Sequence, residues 1–276
     1  MMLLTSLLFA LPALADDDEA SDDDFGFGDY DLDLDDIDLG SSTAASVMTY
    51  SGGHTERSEA LDENAAVTIT HYGGTITVRC TDTAEINARV DFIVEGTKEA
   101  PMQAVGDGIR LQAQGKGTWG KVSTIVPGSR SGIESITVPL VVSLPKKTRV
   151  TVTGRKGWIS VSSCEGTIKA ANTEGDISIT GTYSQFDVRA PKGDVKLQLA
   201  EESSIAKTSG VNAARGSAAV TIPLTVDIRL QATGGSVTVL HTVEGTNSGT
   251  NVSGTIGDGG PLVKVYAKES VEITSP

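Results

Sequence analysis

The amino-acid sequence predicts an all-β protein whose main body is a single-stranded β-solenoid, a β-helix-like stack of short strands that begin at glycines. Three observations support this prediction. A five-residue pattern recurs every nine residues from Gly157 onward, aromatic residues make up only 4% of the chain, and 31 of its 276 residues are glycine. Stacked strands with tight corners tolerate this composition better than helices do, because an interior glycine costs a helix about 1 kcal/mol relative to alanine.

The chain begins with an apolar segment that is typical of an export signal. Residues 1–15 read MMLLTSLLFALPALA and end in Ala13-Leu14-Ala15, the small-x-small pattern of a signal-peptidase site. No other apolar run approaches the roughly 20 residues that a membrane-spanning helix needs. We therefore expect cleavage after Ala15, export to the periplasm, cell surface or extracellular medium, and no stable transmembrane anchoring.

The next segment is strongly acidic. Residues 16–40 contain 13 acidic residues and no basic ones, and removing these 13 from the 36 acidic residues leaves 23, against 22 Lys and Arg. Like charges at this density repel one another and cannot be buried together. We therefore predict that residues 16–60 form an acidic disordered spacer followed by a polar linker.

The acidic segment also contains an alternation that is typical of calcium ligands, at Asp29, Asp31 and Asp33. An EF-hand loop needs a glycine where Leu34 stands and a glutamate where Gly40 stands. These two departures argue against a specific calcium site.

The folded body is predicted to span residues 61–276. Its first strands alternate apolar and polar residues on either side of a glycine pair, in AVTITHYGGTITVRC, and four further strand-like runs read INARVDFIVEG, GIRLQAQG, ITVPLVVSLP and TRVTVTG. The last run, LVKVYAKESVEI, has charges at alternate positions, which predicts a strand that covers the end of the stack.

The repeat itself consists of the units GWISV, GTIKA, GDISI, SQFDV and GDVKL, which begin at Gly157, Gly166, Gly175, Ser184 and Gly193. The third and fifth residues of each unit are apolar and share one face of a strand, so stacking successive units builds a continuous core. If one coil takes two units, residues 18 apart stack. Lys169 would then lie over Asp187 and Asp176 over Asp194, so the charges do not decide the coil length.

This succession resembles the exported "putative adhesin" repeat domains of bacteria, a family of unknown function. The resemblance covers about residues 55–275 and rests on three phrases in order: VTITHYGGTITVRCTDTAEINARV, then ITVPLVVSLPKKTRVTVTG, then recurring G-[DST]-[IV]-x-[VI] units. It implies a β-helix-like fold at the cell envelope or surface, and it implies no catalytic residue and no cofactor.

A glycine-rich segment at residues 115–121, GKGTWGK, fits parts of two nucleotide-binding patterns. Val122 stands where a phosphate loop needs Ser or Thr, and the residues that follow are strand-like and broken by Pro127, whereas both motifs need a helix there. We expect a hairpin loop that exposes Trp119.

No metal or catalytic site is expected from the remaining chemistry-bearing residues. His54, His71 and His241 each lack a nearby ligand at metal-binding spacing, and no G-x-S-x-G elbow occurs. Cys80 and Cys164 are the only cysteines; in an oxidising compartment they either form a disulfide or remain two separate thiols, the first buried.

Two function classes follow from these observations. The first is a non-catalytic exported module of a bacterial cell envelope with a structural, adhesive or ligand-sensing role, whose partner is an envelope or surface protein or polysaccharide. The alternative is a glycan-binding or glycan-cleaving β-helix, with Trp119, Trp158, Asp176 and Asp194 as candidate glycan contacts, although Asp at the second unit position also suits a corner. A carboxylate-lined cleft with Lys or Arg would favour the enzyme, and a wall of Ser, Thr and Lys would favour the module. The acidic balance argues against nucleic-acid binding.

Overall fold

The computed structural model describes residues 46–128 and 130–276, so the predicted signal peptide and the acidic segment of residues 16–40 lie outside the described residues. Within that described part, the chain forms 18 strands and one helix. The all-β solenoid predicted from the sequence is confirmed.

The strands follow one another along the chain with short connections. The first nine are β1 Met48–His71, β2 Ile76–Thr81, β3 Glu85–Gly96, β4 Arg110–Ile125, β5 Ile133–Thr137, β6 Leu140–Pro145, β7 Arg149–Lys156, β8 Ile159–Glu174 and β9 Ile177–Arg189. The other nine are β10 Val195–Leu199, β11 Ser209–Ala213, β12 Ala218–Thr221, β13 Ile228–Thr233, β14 Ser236–Val239, β15 Glu244–Asn247, β16 Asn251–Ile256, β17 Leu262–Ala267 and β18 Ser270–Thr274. The helix α1, Glu99–Gly106, lies between β3 and β4.

The repeat units stack as coils of two units. Strands β8 and β9 pair in parallel, with Ile159 opposite Ile177 and Lys169 opposite Asp187, which are both 18 residues apart. Val195 of β10 pairs with Ile177 at the same spacing. The coil length that the charges left open is therefore 18 residues in this region.

The parallel pairings form two ladders that meet in β8 and β9. The first ladder runs through β6, β2, β8, β9, β10, β12, β18 and β14. The second ladder runs through β4, β1, β7, β8, β9, β11, β17 and β13. Shifts of register after Ser162 and after Gly166 separate the two halves of β8. The inward side chains of both ladders fill one apolar core, as the alternation predicted.

The predicted polar linker is wrong from Met48 onward, and the folded body begins before residue 61. Residues 48–57 of β1 form a regular antiparallel pair with β3, from Met48 opposite Gly96 to Arg57 opposite Asn87. Main-chain hydrogen bonds hold this segment, whereas nearly all its side chains are exposed. Because an edge strand of this kind needs no apolar alternation, its composition resembles that of a linker.

The last strands are also placed differently from the prediction. Strand β17 pairs with both β11 and β13, and β18 pairs with both β12 and β14, so neither covers the end of the stack. Their alternate charges lie on the outer side of an internal strand, where every second side chain meets water.

Two further segments depart from expectation in the amino-terminal part. The GKGTWGK segment is not a hairpin loop but lies inside β4, paired with β1. Helix α1 was not predicted; its Gly106 approaches Tyr50 and Phe92 so closely that a Cβ there would lie 2.4 Å from a Tyr50 ring carbon. A helix of eight residues has too few apolar positions to show a period.

Candidate functional site

The candidate site lies along a corner of the solenoid where glycines stack. A Cβ on Gly175 would lie 1.8 Å from the carbonyl oxygen of Gly157, and a Cβ on Gly193 would lie 2.3 Å from that of Gly175. Gly175 also has a φ of +129°, a backbone conformation that residues other than glycine rarely adopt. These corners let consecutive coils approach closely. The residues that directly follow the three corner glycines are Trp158, Asp176 and Asp194.

Asp176 and Asp194 each hold the next coil by a backbone hydrogen bond. The amide of Asp194 donates to Oδ1 of Asp176 at 2.9 Å, and the amide of Ser217 donates to Oδ1 of Asp194 at 2.8 Å. Both side chains are exposed. The carboxylates therefore serve as corner acceptors, the structural role that the sequence offered beside the glycan role.

A buried asparagine supports the same corner and was missed from the sequence. Asn172 is 1% exposed, and its Nδ2 donates to the carbonyl oxygen of Gly157 at 2.8 Å and to that of Asp176 at 3.4 Å. These bonds fix the backbone just before Trp158 and at Asp176. The available signal was parity, because Asn172 alternates in step with Ile168 and Ala170 and therefore had to point inward.

A groove of about 350 Å³ brings together three of the four predicted glycan contacts. Trp158, Asp176 and Asp194 line it, together with Lys196 and Glu272, whereas Trp119 does not. Trp158 is 56% exposed. The repeat in the sequence predicts that Trp158 and Asp176 lie at successive corners. It does not predict that Glu272, from a distant part of the chain, lies in the same groove.

The depth of this groove has a simple origin. Ala219 pairs with Lys196 on one side and with Glu272 on the other, so a short side chain stands between two long ones. Two strand spacings, about 9.6 Å, separate the backbones of Lys196 and Glu272. The groove can accept a ligand that has an apolar or sugar face to pack against Trp158. Polar groups of the same ligand would then meet the carboxylates of Asp176, Asp194 and Glu272 and the ammonium of Lys196.

The two cysteines lie in neighbouring strands of the first ladder. Cys80 in β2 and Cys164 in β8 form a disulfide with an S–S distance of 2.01 Å, and both residues are at most 2% exposed. Cys164 lies inside β8. The disulfide joins two parts of the chain that are 84 residues apart.

The three histidines lie apart. His71 is buried; its Nδ1 contacts the Thr124 hydroxyl and its Nε2 lies 2.7 Å from the Val138 carbonyl oxygen. Burial lowers the pKa of His71, against a smaller opposing effect of the Val138 hydrogen bond. His241 lies 3.1 Å from the carbonyl oxygen of Thr274, and His54 lies near the ring of Phe92. In residues 46–128 and 130–276, no three His, Cys, Asp or Glu side chains are grouped as metal ligands.

Helix α1, the one helix in the described part of the chain, is not long and apolar enough to cross a membrane.

Comparison with known proteins gives one family match and several solved structures. The family model described as Toastrack DUF4097 matches residues 142–270. A "putative cell adhesion protein" from Clostridium sporogenes is 12% identical with a TM-score of 0.45, over 82% of this chain and 100% of that one. A "putative adhesin" from Bacteroides fragilis is 13% identical with a TM-score of 0.37, over 83% and 96%. A "putative lipid binding protein" from Parabacteroides distasonis is 10% identical with a TM-score of 0.29, over 81% and 94%. No curated protein matches the chain.

Proposed function

We propose that the chain is a non-catalytic, exported β-repeat module of a bacterial cell envelope, with residues 142–270 as the part that matches the family model described as Toastrack DUF4097. Its role is structural, adhesive or ligand-sensing, and its partner is an envelope polysaccharide or a surface protein.

The observation that supports this proposal is the outer surface of the first ladder, which we call the hydroxyl wall. Its outward side chains alternate with buried ones and are mostly short and polar. In two rows along the stack they are Thr77, Ser160, Ser178, Lys196, Ala219 and Glu272, and then Arg79, Ser162, Thr180, Gln198, Thr221 and Thr274. Such a surface repeats similar groups at every strand spacing of about 4.8 Å, which suits contact with an extended polymer.

The groove holds three carboxylates, Asp176, Asp194 and Glu272, beside Lys196, which is the lining expected of an enzyme, but two of these carboxylates already have structural partners. Asp176 and Asp194 each commit one oxygen to a corner hydrogen bond. A pair of glycosidase carboxylates instead needs one group that delivers a proton and one that attacks or activates water. A binding surface needs no such pair, so the groove suits binding in the geometry that the structure shows.

The test is to incubate the protein with an envelope polysaccharide fraction and to follow binding and polymer length together. Retention of polymer with unchanged length and no new reducing ends is the expected result. Progressive shortening would overturn the non-catalytic assignment, and an Asp176→Asn/Asp194→Asn variant would then locate the chemistry, since Asn retains an oxygen that accepts the corner hydrogen bond.

A second candidate, glycan binding at the groove, is favoured by one observation: Trp158, Asp176 and Asp194 line the same groove. The chain offers a matched control, because Trp119 is 49% exposed and lies outside it. Trp158→Ala is expected to weaken glycan binding about tenfold, corresponding to the roughly 1–2 kcal/mol of one aromatic contact, and Trp119→Ala should leave it unchanged. Equal effects of the two substitutions would reject the groove as the contact site.

A further inference from the structure

A row of basic side chains runs along the same corner, one position before the stacked glycines. The glycines at 175, 193 and 216 stack in turn, because a Cβ on each would collide with the carbonyl oxygen of the one before. The amide of Glu269 then donates to the carbonyl oxygen of Gly216 at 3.1 Å, which adds the next rung. The residues that precede these rungs are Glu174, Lys192, Arg215 and Lys268, and Lys156 pairs with Glu174 at the other end.

We call Lys156, Lys192, Arg215 and Lys268 the basic ridge. All four are exposed. Five rungs from Lys156 to Lys268 span four strand spacings, about 19 Å. The stacking of successive corners brings these residues together from positions up to 112 apart in sequence, so no local cluster of Lys and Arg predicts the ridge.

The charges around the ridge leave it positive. Glu174 forms an ion pair with Lys192 at 2.8 Å, and its pKa is lowered by Lys192 and, to a smaller extent, by Lys156 and Arg155. Arg155 is a fifth exposed base, and Glu269 is the second acid beside the ridge. The five rungs carry four bases against one acid, a net charge of about +3, and counting Arg155, Glu269 and the carboxylates of Asp176 and Asp194 beside them leaves about +1, whereas residues 46–276 carry 23 acids and 22 bases.

We propose that the basic ridge binds a linear polymer that carries phosphate groups, laid along the corner of the solenoid. The ridge is one residue wide and follows the stack for about 19 Å with Glu174 as its one acidic rung, which matches the width of a single extended chain of anions. The basic ridge is distinct from the groove to which glycan binding was assigned, and this proposal does not rest on glycan binding.

A flat anionic membrane fits this surface less well. The carboxylates of Asp176 and Asp194 lie two residues from the ridge on one side, and Glu174 lies within it. A membrane would bring its phosphates against these acids, whereas a single polymer chain can follow the basic row and leave the acids in water. Double-stranded nucleic acid presents the same difficulty, because its two strands cover a broad strip of surface.

The test uses inorganic polyphosphate as the probe, with affinity measured by fluorescence anisotropy at low and moderate NaCl. The ridge variant is Lys156→Gln/Lys192→Gln/Lys268→Gln. A matched control with the same charge change is Lys121→Gln/Lys169→Gln/Lys264→Gln, whose three exposed lysines lie on the outer side of the second ladder. We expect the unmodified protein to bind with an affinity that falls steeply with salt, and the ridge variant to lose about tenfold while the control loses less than about twofold.

A third variant and two further probes complete the test. Replacing the three ridge lysines by arginine should retain binding, since the charge is kept. Equal losses in the ridge and control variants would overturn the proposal in favour of general charge attraction. Tighter binding to anionic phospholipid vesicles or to double-stranded DNA than to polyphosphate, or no binding to polyphosphate at all, would also overturn it.

Discussion

The repeat coils of residues 157–199 and the amino-terminal part of residues 46–156 are held together differently. In the coils, residues 18 apart pair in parallel and each glycine corner lies on the one before. The amino-terminal part combines antiparallel pairs of β3 with β1, β5 and β6, one helix and a buried histidine. Local stacking therefore stabilises the coils, whereas contacts between distant residues stabilise the amino-terminal part.

The disulfide joins these two regions, and its removal is expected to have the largest effect. Cys80 and Cys164 close a loop with a sequence separation of 84 residues. On the chain-entropy model, a loop of that length corresponds to about 4.6 kcal/mol. The Cys80→Ala/Cys164→Ala protein should lose about 3–5 kcal/mol of unfolding free energy in urea denaturation.

The control for this prediction is the single Cys80→Ala variant, which should lose a similar amount because either substitution removes the same bond. A loss below about 1 kcal/mol in the double variant would contradict the prediction. It would mean that stacking alone holds β2 against β8.

The glycine corners give the next largest effect and separate steric stacking from backbone conformation. Gly175 and Gly166 both have positive φ, of +129° and +106°, but a Cβ on Gly175 would collide with Gly157, whereas one on Gly166 would meet nothing within 4 Å. Gly175→Ala should cost about 3 kcal/mol or more, and Gly166→Ala about 1–2 kcal/mol. Equal losses in thermal or urea denaturation would show that backbone strain alone accounts for both.

The same contrast explains which parts of the fold were predictable. Each coil repeats its own sequence, so the phase of Ile159, Ile168 and Ile177 fixes which side chains point inward. Residues 48–57 have no such pattern, because main-chain hydrogen bonds to β3 decide their structure. Strands β17 and β18 likewise insert between earlier strands, β17 between β11 and β13 and β18 between β12 and β14, and no periodic signal in the sequence marks this order.

The candidate site divides in the same way. Trp158, Asp176 and Asp194 fall at equivalent positions of the repeat, so their common corner followed from the period. Ala219, Glu272 and Lys268 lie outside the regular repeat, and only long-range strand pairings and main-chain hydrogen bonds bring them to the groove and the ridge. The spacing of the repeat therefore predicts only those residues of the groove and of the basic ridge that the repeat itself contributes.

A pH effect is expected from the amino-terminal part through His71, and we expect it to be smaller than the two effects above. An unfolded histidine has a pKa of about 6.5, and burial lowers the pKa of His71 in the folded protein. The folded state therefore binds this proton less readily than the unfolded state does. The stabilising contribution is fully present above about pH 6.5 and is lost as the pH falls through the lower folded-state pKa.

The measurement compares urea midpoints of the protein and of His71→Gln at pH 7.5 and at pH 5. Acidic groups titrate in both proteins, so the difference between their pH profiles isolates His71. The protein should lose more stability on acidification than the variant. Parallel profiles would contradict a role for His71 in acid sensitivity.

Surface ion pairs should give the smallest effect and should not distinguish the two regions. Lys192 and Glu174 pair at 2.8 Å between successive coils, and Lys147 and Glu63 pair at 2.6 Å in the amino-terminal part. All four side chains are exposed to a similar degree, so water screens their attraction, and the ordering of long side chains offsets what remains. A double-mutant cycle to alanine on each pair should give a coupling within the error of urea denaturation. A resolvable coupling in the Lys192–Glu174 pair alone would mean that charge as well as stacking holds the coils in register. The contrast between the two regions would then rest on the disulfide and the glycine corners.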